Sequence, residues 1–182
     1  PVEEEITMGS EPRSRLALVY TGPYEWNINE NRRLSVLEKA LSIRLRETIR
    51  EQEGGTYGVN VQASRNRFPE SSYTISITFS CDPERLQELK EKTRETVASL
   101  REEMLDESYL SRIIEPLKSS REEAFEENSF WISILQGSYF HDYDPSRAFG
   151  YKDFLDSVTL EEIRSVAQKY LIPDQTIILE GL

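Results

Sequence analysis

Apolar residues recur along this chain with two spacings, one typical of helices and one of strands. Between residues 34 and 49 they lie three or four positions apart, which predicts one apolar stripe on a helix of about 20 residues. The members of this stripe are Leu34, Leu37, Leu41, Leu45 and Ile49. From Thr56 to Ser80 the spacing changes to two, which predicts two strands joined by a hairpin at RNRFPESS. Both strands have an apolar face and a face of hydroxyl and amide side chains.

One strand is expected before the long helix, and more helices and a last strand after the hairpin. RLALVYTG, residues 15–22, has the pattern of a short strand, and Asn27 or Asn29 is a candidate cap for the helix that follows. A helix that begins at Asp106 is expected to bend or break near Pro116. The elements predicted after the hairpin are helices over 82–104, 106–127, 128–141 and 159–171 and a strand over 175–181.

This order of elements predicts an α+β fold. An antiparallel sheet of about four strands would carry helices on one face, in an enlarged βαββαβ arrangement. The polar face of the hairpin strands then leaves the other side of the sheet open to water or to a partner. Residues 1–14 are acidic and polar and are interpreted as a lead-in arm, and residues 15–182 as a single α+β domain.

Charge and composition narrow the class of partner. The net charge of −11 argues against nucleic acid and anionic membranes as partners, because both select basic surfaces. No apolar run approaches the roughly 20 residues that cross a bilayer, so membrane insertion is not expected. The one cysteine, Cys81, ends a strand pattern and is interpreted as a buried, inert thiol. The chain begins with Pro rather than Met and is interpreted as a piece of a longer protein.

The chain is not expected to hold a complete active site of its own. Its single histidine, His141, cannot form a two-histidine zinc site and is interpreted as a helix-end or surface residue. Arg50 and Tyr57 flank Gly54-Gly55, the pair predicted to end the long helix. On general grounds, Arg50 could cap a helix end and Tyr57 could be an aromatic residue at the edge of the core.

The stretch REQEGGTYGV, with a helix before it and a strand after it, resembles the Arg/Tyr motif of the insulinase/pitrilysin zinc metallopeptidases, the inverzincins. The similarity covers most of the chain and is to the C-terminal domain of the bacterial zinc-protease branch. Members have two or four related α+β domains that close around a peptide. Zinc is bound on the N-terminal domain, and the Arg and Tyr come from the other half of the enzyme.

This resemblance implies a division of labour between two domains. Tyr57 would donate a hydrogen bond to the oxyanion that forms at a peptide carbonyl, and Arg50 would position the substrate. Zinc is expected on the N-terminal domain of the parent, in the same or a partner chain, and the isolated chain is predicted to be inactive. Strict alternation groups Tyr57 with the apolar residues Val59 and Val61, unless a bulge near Gly58 changes its direction.

A second hypothesis is a non-catalytic domain of the same fold that binds peptides or a partner. The two hypotheses differ in whether the parent carries an upstream zinc motif. The resemblance favours the bacterial periplasm or cell envelope as the compartment, with the cytoplasm left open.

Overall fold

The chain forms one sheet and a set of α-helices in a computed structural model, which describes residues 2–6, 13–52 and 56–181. The side chains at 5, 6, 50–52, 56 and 57 lie outside the described part. Five strands are present in the described chain: β1 (Val2–Ile6), β2 (Ser14–Pro23), β3 (Thr56–Asn66), β4 (Ser72–Cys81) and β5 (Thr176–Gly181). In space their order is β1-β5-β2-β4-β3.

Most of the sheet is antiparallel, as predicted. β2 pairs antiparallel with β4 and β5, β3 pairs antiparallel with β4, and β1 pairs parallel with β5. The α+β fold class is therefore confirmed, with β1 as an additional strand. No strand is expected from the sequence in residues 1–14, because the run of three glutamates in VEEEI lacks an alternating apolar face. Charged residues are typical of an edge strand, where they discourage pairing with other chains.

The helices follow the predicted order with two differences. They are α1 (Ile28–Leu45), α2 (Leu86–Glu102), α3 (Ser108–Phe125), α4 (Asn128–His141), α5 (Tyr151–Ser157) and α6 (Leu160–Tyr170). Asn27 caps α1, since its side chain accepts a 2.9 Å hydrogen bond from the Glu30 N–H. Pro116 lies inside α3, which continues through it, so of the bend or break expected there the break is absent. The short helix α5 was not predicted from the sequence.

The chain divides into two compact units, residues 1–105 with 161–182 and residues 106–160. The first unit contains the sheet, and its core lies between one face of the sheet and helices α1, α2 and α6. The predicted apolar stripe, which runs from Leu34 in α1 to Ile49 just beyond its end, is fully buried. It packs in the same cluster as the inward residues of the strands and of the other two helices, among them Leu16, Leu18, Ile75, Ile77, Leu89, Leu100, Ala167 and Ile178.

A charged cluster joins the start of α1 to α6 in the first unit. The buried Glu30 carboxylate accepts hydrogen bonds from Lys169 Nζ (2.7 Å), from Arg33 Nη1 (2.7 Å) and from the Tyr170 hydroxyl. Burial acts to raise the pKa of Glu30, but the hydrogen bonds from Lys169, Tyr170 and Arg33 outweigh burial and lower the pKa from 4.5 to about 2. Glu30 is therefore held ionised inside the fold.

The second unit consists of α3, α4, α5 and their connections. Its aromatic residues pack on one another, and Trp131 stacks on Phe125 with ring centres 5.4 Å apart. The Trp131 Nε1–H also donates a 2.9 Å hydrogen bond to the backbone oxygen of Phe125. The guanidinium of Arg121 lies 4.1 Å from the centre of the Tyr151 ring, an arrangement that attracts the cation to the aromatic face.

Candidate functional site

The backbone around Arg50 departs from a regular α-helix. After Leu45, α1 continues as a π-helical segment over Arg46–Gln52, which includes Arg50. Ile49 anchors this segment, since its side chain is fully buried in the core of the first unit. Short π-helical turns are rare and are often found at functional sites. The predicted helix stop at Gly54-Gly55 lies outside the described residues.

Strand β3 begins with a bulge at the position of Tyr57. Thr56 pairs with Cys81 and Val59 pairs with Phe79, so three steps along β3 match two steps along β4. Tyr57 and Gly58 together span the interval that Ser80 alone occupies on β4. In a regular strand Tyr57 would share the apolar face of Val59, two residues further on. Because the bulge inserts one extra residue between Thr56 and Val59, this rule no longer applies to Tyr57. The irregularity considered near Gly58 is present in the backbone.

The face of the sheet opposite the core differs between its two ends. On β3 and β4 it is polar and accessible: Asn60 pairs with Thr78 and Gln62 with Ser76. On β2 and β5 the same face carries half-buried apolar residues, namely Ala17, Val19, Ile177 and Leu179. The surface rich in hydroxyl and amide side chains is therefore concentrated on β3 and β4, at the end of the sheet that contains Tyr57.

α1 partly covers the outer edge of β3. The backbone N–H of Ala63 donates a hydrogen bond to the Glu38 carboxylate. Burial raises the pKa of Glu38, while Arg65 and this hydrogen bond act to lower it, and the net shift is upward. The Arg65 guanidinium in turn donates a 2.9 Å hydrogen bond to the Ser35 hydroxyl of α1. These contacts tie the middle of β3 to the helix that leads into the π-helical segment.

The two predicted site residues thus lie on elements that contact each other. The π-helical segment with Arg50 packs against β3, the strand with Tyr57. Their side chains are outside the described part of the chain, so their roles stay predictions. His141 is the last residue of α4, as predicted, with its ring centre 4.8 Å from that of Phe140. Cys81 is buried, which raises the pKa of its thiol and agrees with an inert role.

Metal-binding side chains do not come together in the described part of the chain. There, no three residues of the types His, Cys, Asp or Glu are arranged to hold a metal ion. No described helix is both long enough and apolar enough to cross a bilayer.

Comparison with known proteins defines the class to which this fold and segment belong. The sequence profile of a family described as "Peptidase M16 inactive domain" matches residues 2–117, which is more than half of the chain. This match includes the π-helical segment, β3 and the hairpin. The chain therefore belongs to the Peptidase M16 family, as a domain of the type described as inactive.

Related proteins agree with this assignment. The chain is 26% identical over 172 residues to a probable zinc protease PqqL of Haemophilus influenzae, covering 94% of this chain and 18% of that protein. The periplasmic protease PqqL from Escherichia coli has a similar fold (TM-score 0.83, 21% identity, 100% of this chain and 20% of that one). An M16 inactive domain from Pseudomonas fluorescens also has a similar fold (TM-score 0.84, 17% identity), and the match covers 99% of this chain and 42% of that one. The chain thus spans about a fifth of the length of these PqqL relatives.

Proposed function

We propose that this chain is the C-terminal domain of a zinc metallopeptidase, in which it supplies Arg50 and Tyr57 to a zinc site on another domain. The observation that carries the proposal is the profile match over residues 2–117, because it includes the helix-to-strand segment with both residues. Relatives named as zinc proteases support the same activity for a longer parent protein.

The proposed role of Tyr57 follows from the chemistry of peptide hydrolysis. Zinc on the other domain would supply activation of water and polarisation of the scissile carbonyl. The carbonyl oxygen gains negative charge during attack, and a phenol hydroxyl aimed at it stabilises that charge more than it stabilises the substrate. The bulge at the start of β3 supports this role, because it removes the alternation argument that grouped Tyr57 with Val59. The strand pattern then allows Tyr57 to lie on the polar face of the sheet, with Asn60 and Gln62.

Arg50 is proposed to position the peptide. A guanidinium is always charged and presents several donors in a fixed plane, which suits a backbone carbonyl of an extended substrate or the tyrosine oxygen. The buried Ile49 next to it holds the π-helical segment in the core, so Arg50 would be presented from a rigid support.

The polar end of the sheet is proposed to be a wall of the substrate chamber. Asn60, Gln62 and their partners on β4 offer hydrogen bonds without a shaped apolar pocket, which suits peptides of varied sequence. Closure of the zinc-bearing half over this wall would complete the site and exclude water. The periplasm is proposed as the compartment, by analogy with the neighbour described as a periplasmic protease.

A second candidate function is a peptide- or partner-binding domain without a catalytic role. The description of the family as an inactive domain favours it, and so does the open hydroxyl-rich face. The two functions differ in the expected effect of changing Arg50, because only the catalytic role ties this residue to turnover.

The test uses the full-length parent protein and a fluorogenic peptide in the presence of zinc. Arg50→Gln is expected to lower kcat/KM about 10- to 100-fold, the effect of losing a charge-assisted hydrogen bond of about 1.5–3 kcal/mol. Arg50→Lys should recover part of the loss. Arg46→Gln is the matched control, since Arg46 is exposed in the same π-helical segment. If Arg50→Gln and Arg46→Gln behave alike, Arg50 has no part in the reaction.

The 182-residue chain alone provides a second arm of this test. It is expected to hydrolyse no peptide and to bind no stoichiometric zinc, because the proposed zinc ligands belong to another domain. Zinc-dependent hydrolysis by the isolated chain would overturn the proposed division of labour.

A further inference from the structure

A cavity of about 180 Å³ lies in the first unit, on the core side of the sheet. Its apolar wall includes Leu18, Val97 and Ile178, which come from β2, α2 and β5. Its polar lining residues are Tyr20, Arg94, Arg101 and Thr176. The Thr176 hydroxyl already donates to the backbone oxygens of Ile172 and Pro173. The cavity is therefore a mainly apolar space lined by two cationic residues and one phenol.

One polar group beside this cavity lacks a partner in the part of the chain that the structure describes. The Nε atom of Arg101 is buried and has no hydrogen-bond partner there. Tyr20, which lines the same cavity, is only 4% exposed as a residue. Buried polar groups are nearly always hydrogen-bonded in folded proteins, so an unpaired guanidinium donor beside a cavity favours an acceptor bound there.

The guanidinium groups act on the Tyr20 hydroxyl. Burial raises the pKa of Tyr20 to about 12, while the charges of Arg94 and Arg101 act to lower it. Arg94 also approaches Glu91 (3.7 Å) and Glu3 (3.8 Å), but both carboxylates are more than half exposed. Such long ion pairs in water are weak, so they leave the Arg94 donors available to a ligand.

The balance of donors selects an anion. Guanidinium groups only donate hydrogen bonds, and the phenol is held in its protonated, donating form by burial. Planar guanidinium groups match carboxylate oxygens in pairs. The apolar wall selects the rest of the ligand, and the volume suits a leucine-sized group, since a cavity of about 150 Å³ is known to hold benzene. An ion without an apolar part would leave this wall uncovered.

We propose that this cavity binds a small carboxylate that bears an apolar group, with Arg101, Arg94 and Tyr20 as donors to the carboxylate. The same chemistry is offered by a free apolar acid and by the C-terminal residue of a peptide. This site is separate from the proposed catalytic segment, and it does not depend on the peptidase function.

The experiment titrates the isotope-labelled 182-residue chain and follows the arginine Nε–H and core methyl signals by NMR. The probes are N-acetyl-leucine, its uncharged amide, the peptide Gly-Gly-Leu and inorganic phosphate. N-acetyl-leucine is expected to bind saturably, with a dissociation constant in the millimolar range or lower. The amide and phosphate are expected to bind at least about tenfold more weakly, because hydrogen bonds to charged groups are stronger than those between neutral groups. Tighter binding of Gly-Gly-Leu would identify a peptide C-terminus as the source, and binding of the free acid alone would identify a small acid.

Three variants test the donors. Arg101→Gln is expected to weaken N-acetyl-leucine binding about tenfold or more, and Tyr20→Phe, which keeps the ring, about threefold to tenfold. Arg164→Gln is the matched control and should bind as wild type. Arg164 also has a buried Nε without a partner, but its Nη2 pairs with Glu161 at 2.7 Å, away from the cavity.

Any of four results would overturn the assignment. They are absence of saturable binding by the wild-type chain, equal affinity for the acid and its amide, binding of phosphate alone, and an unchanged affinity in both Arg101→Gln and Tyr20→Phe. Should Arg101→Gln fail to fold, as judged by its methyl spectrum, Tyr20→Phe decides the outcome.

Discussion

The two compact units of this chain are built on different cores. The first unit buries a continuous set of mainly aliphatic side chains between the sheet and three helices. The second unit relies on aromatic side chains, several of which stay exposed, such as Tyr139 at 88% and Phe140 at 69%. Because apolar burial is the main favourable term in folding, the first unit is expected to hold most of the stability. It also carries both candidate catalytic residues, so the proposed site belongs to the better-buried part.

The largest contrast is expected from shortening a leucine in each unit. Leu41→Ala in the first unit should lower the free energy of unfolding by about 3–5 kcal/mol, because Leu41 is fully buried and the change leaves a cavity. Leu135→Ala in the second unit should change it by less than about 0.5 kcal/mol, because Leu135 is 49% exposed. Urea unfolding followed by circular dichroism measures both. Equal losses would show that the two units do not differ in the way described.

The next largest effect concerns the charge cluster of the first unit. Glu30 has a lower pKa in the folded chain, about 2, than its ordinary 4.5, so its ionised form stabilises the fold above about pH 4.5. That contribution should disappear as the pH falls from about 5 towards 2. Glu30→Gln should lower the free energy of unfolding by about 2–3 kcal/mol at pH 7. The free energy of unfolding of this variant should also depend less on pH between 5 and 2. A matched control is Glu161→Gln, whose exposed pair with Arg164 should be worth little. If the free energy of unfolding of Glu30→Gln still fell between pH 5 and 2 as steeply as that of the wild type, Glu30 would not be the cause of this pH dependence.

A smaller effect is expected within the aromatic cluster of the second unit. Trp131→Phe keeps a ring next to Phe125 but removes the hydrogen bond from Nε1 to the Phe125 backbone oxygen. The expected loss is about 1 kcal/mol, as for a typical intramolecular hydrogen bond. Hydrogen exchange should show faster opening of α4 with no change in β2 or β4. Equal acceleration in the strands would instead indicate that the two units open together.

Sequence patterns predicted most of the first unit because its elements are amphipathic. The α1 stripe and the alternation on β4 each have a single buried face, so spacing alone defines their orientation. β1 could not be found in this way, because its pairing with β5 is made by the backbone of a charged segment. The sequence could not decide between a bend and a break of α3 at Pro116, and the helix continues through this residue. A proline inside a helix is tolerated when the surrounding packing outweighs the lost hydrogen bond.

The candidate site was only partly accessible from the sequence. The Arg50 to Tyr57 spacing identified the segment, but neither the π-helical turn nor the bulge has a sequence pattern specific enough to predict. The cavity with Tyr20, Arg94 and Arg101 gave no signal at all, because its residues come from strands and helices distant in sequence. Tyr20 simply matched the apolar alternation of β2, and the two arginines matched the polar positions of a surface helix.

The role proposed for Tyr57, donation of a hydrogen bond to the developing oxyanion, is tested by Tyr57→Phe in the full-length parent. The measurement is steady-state turnover of a peptide with zinc present, together with peptide binding to the same variant. Tyr57→Phe is predicted to lower kcat by about 10²–10³-fold with little change in binding, as for removal of one oxyanion donor. Tyr139→Phe, at an exposed position of α4, should leave turnover unchanged. Wild-type turnover with unchanged binding in Tyr57→Phe would show that the Tyr57 hydroxyl does not stabilise the oxyanion.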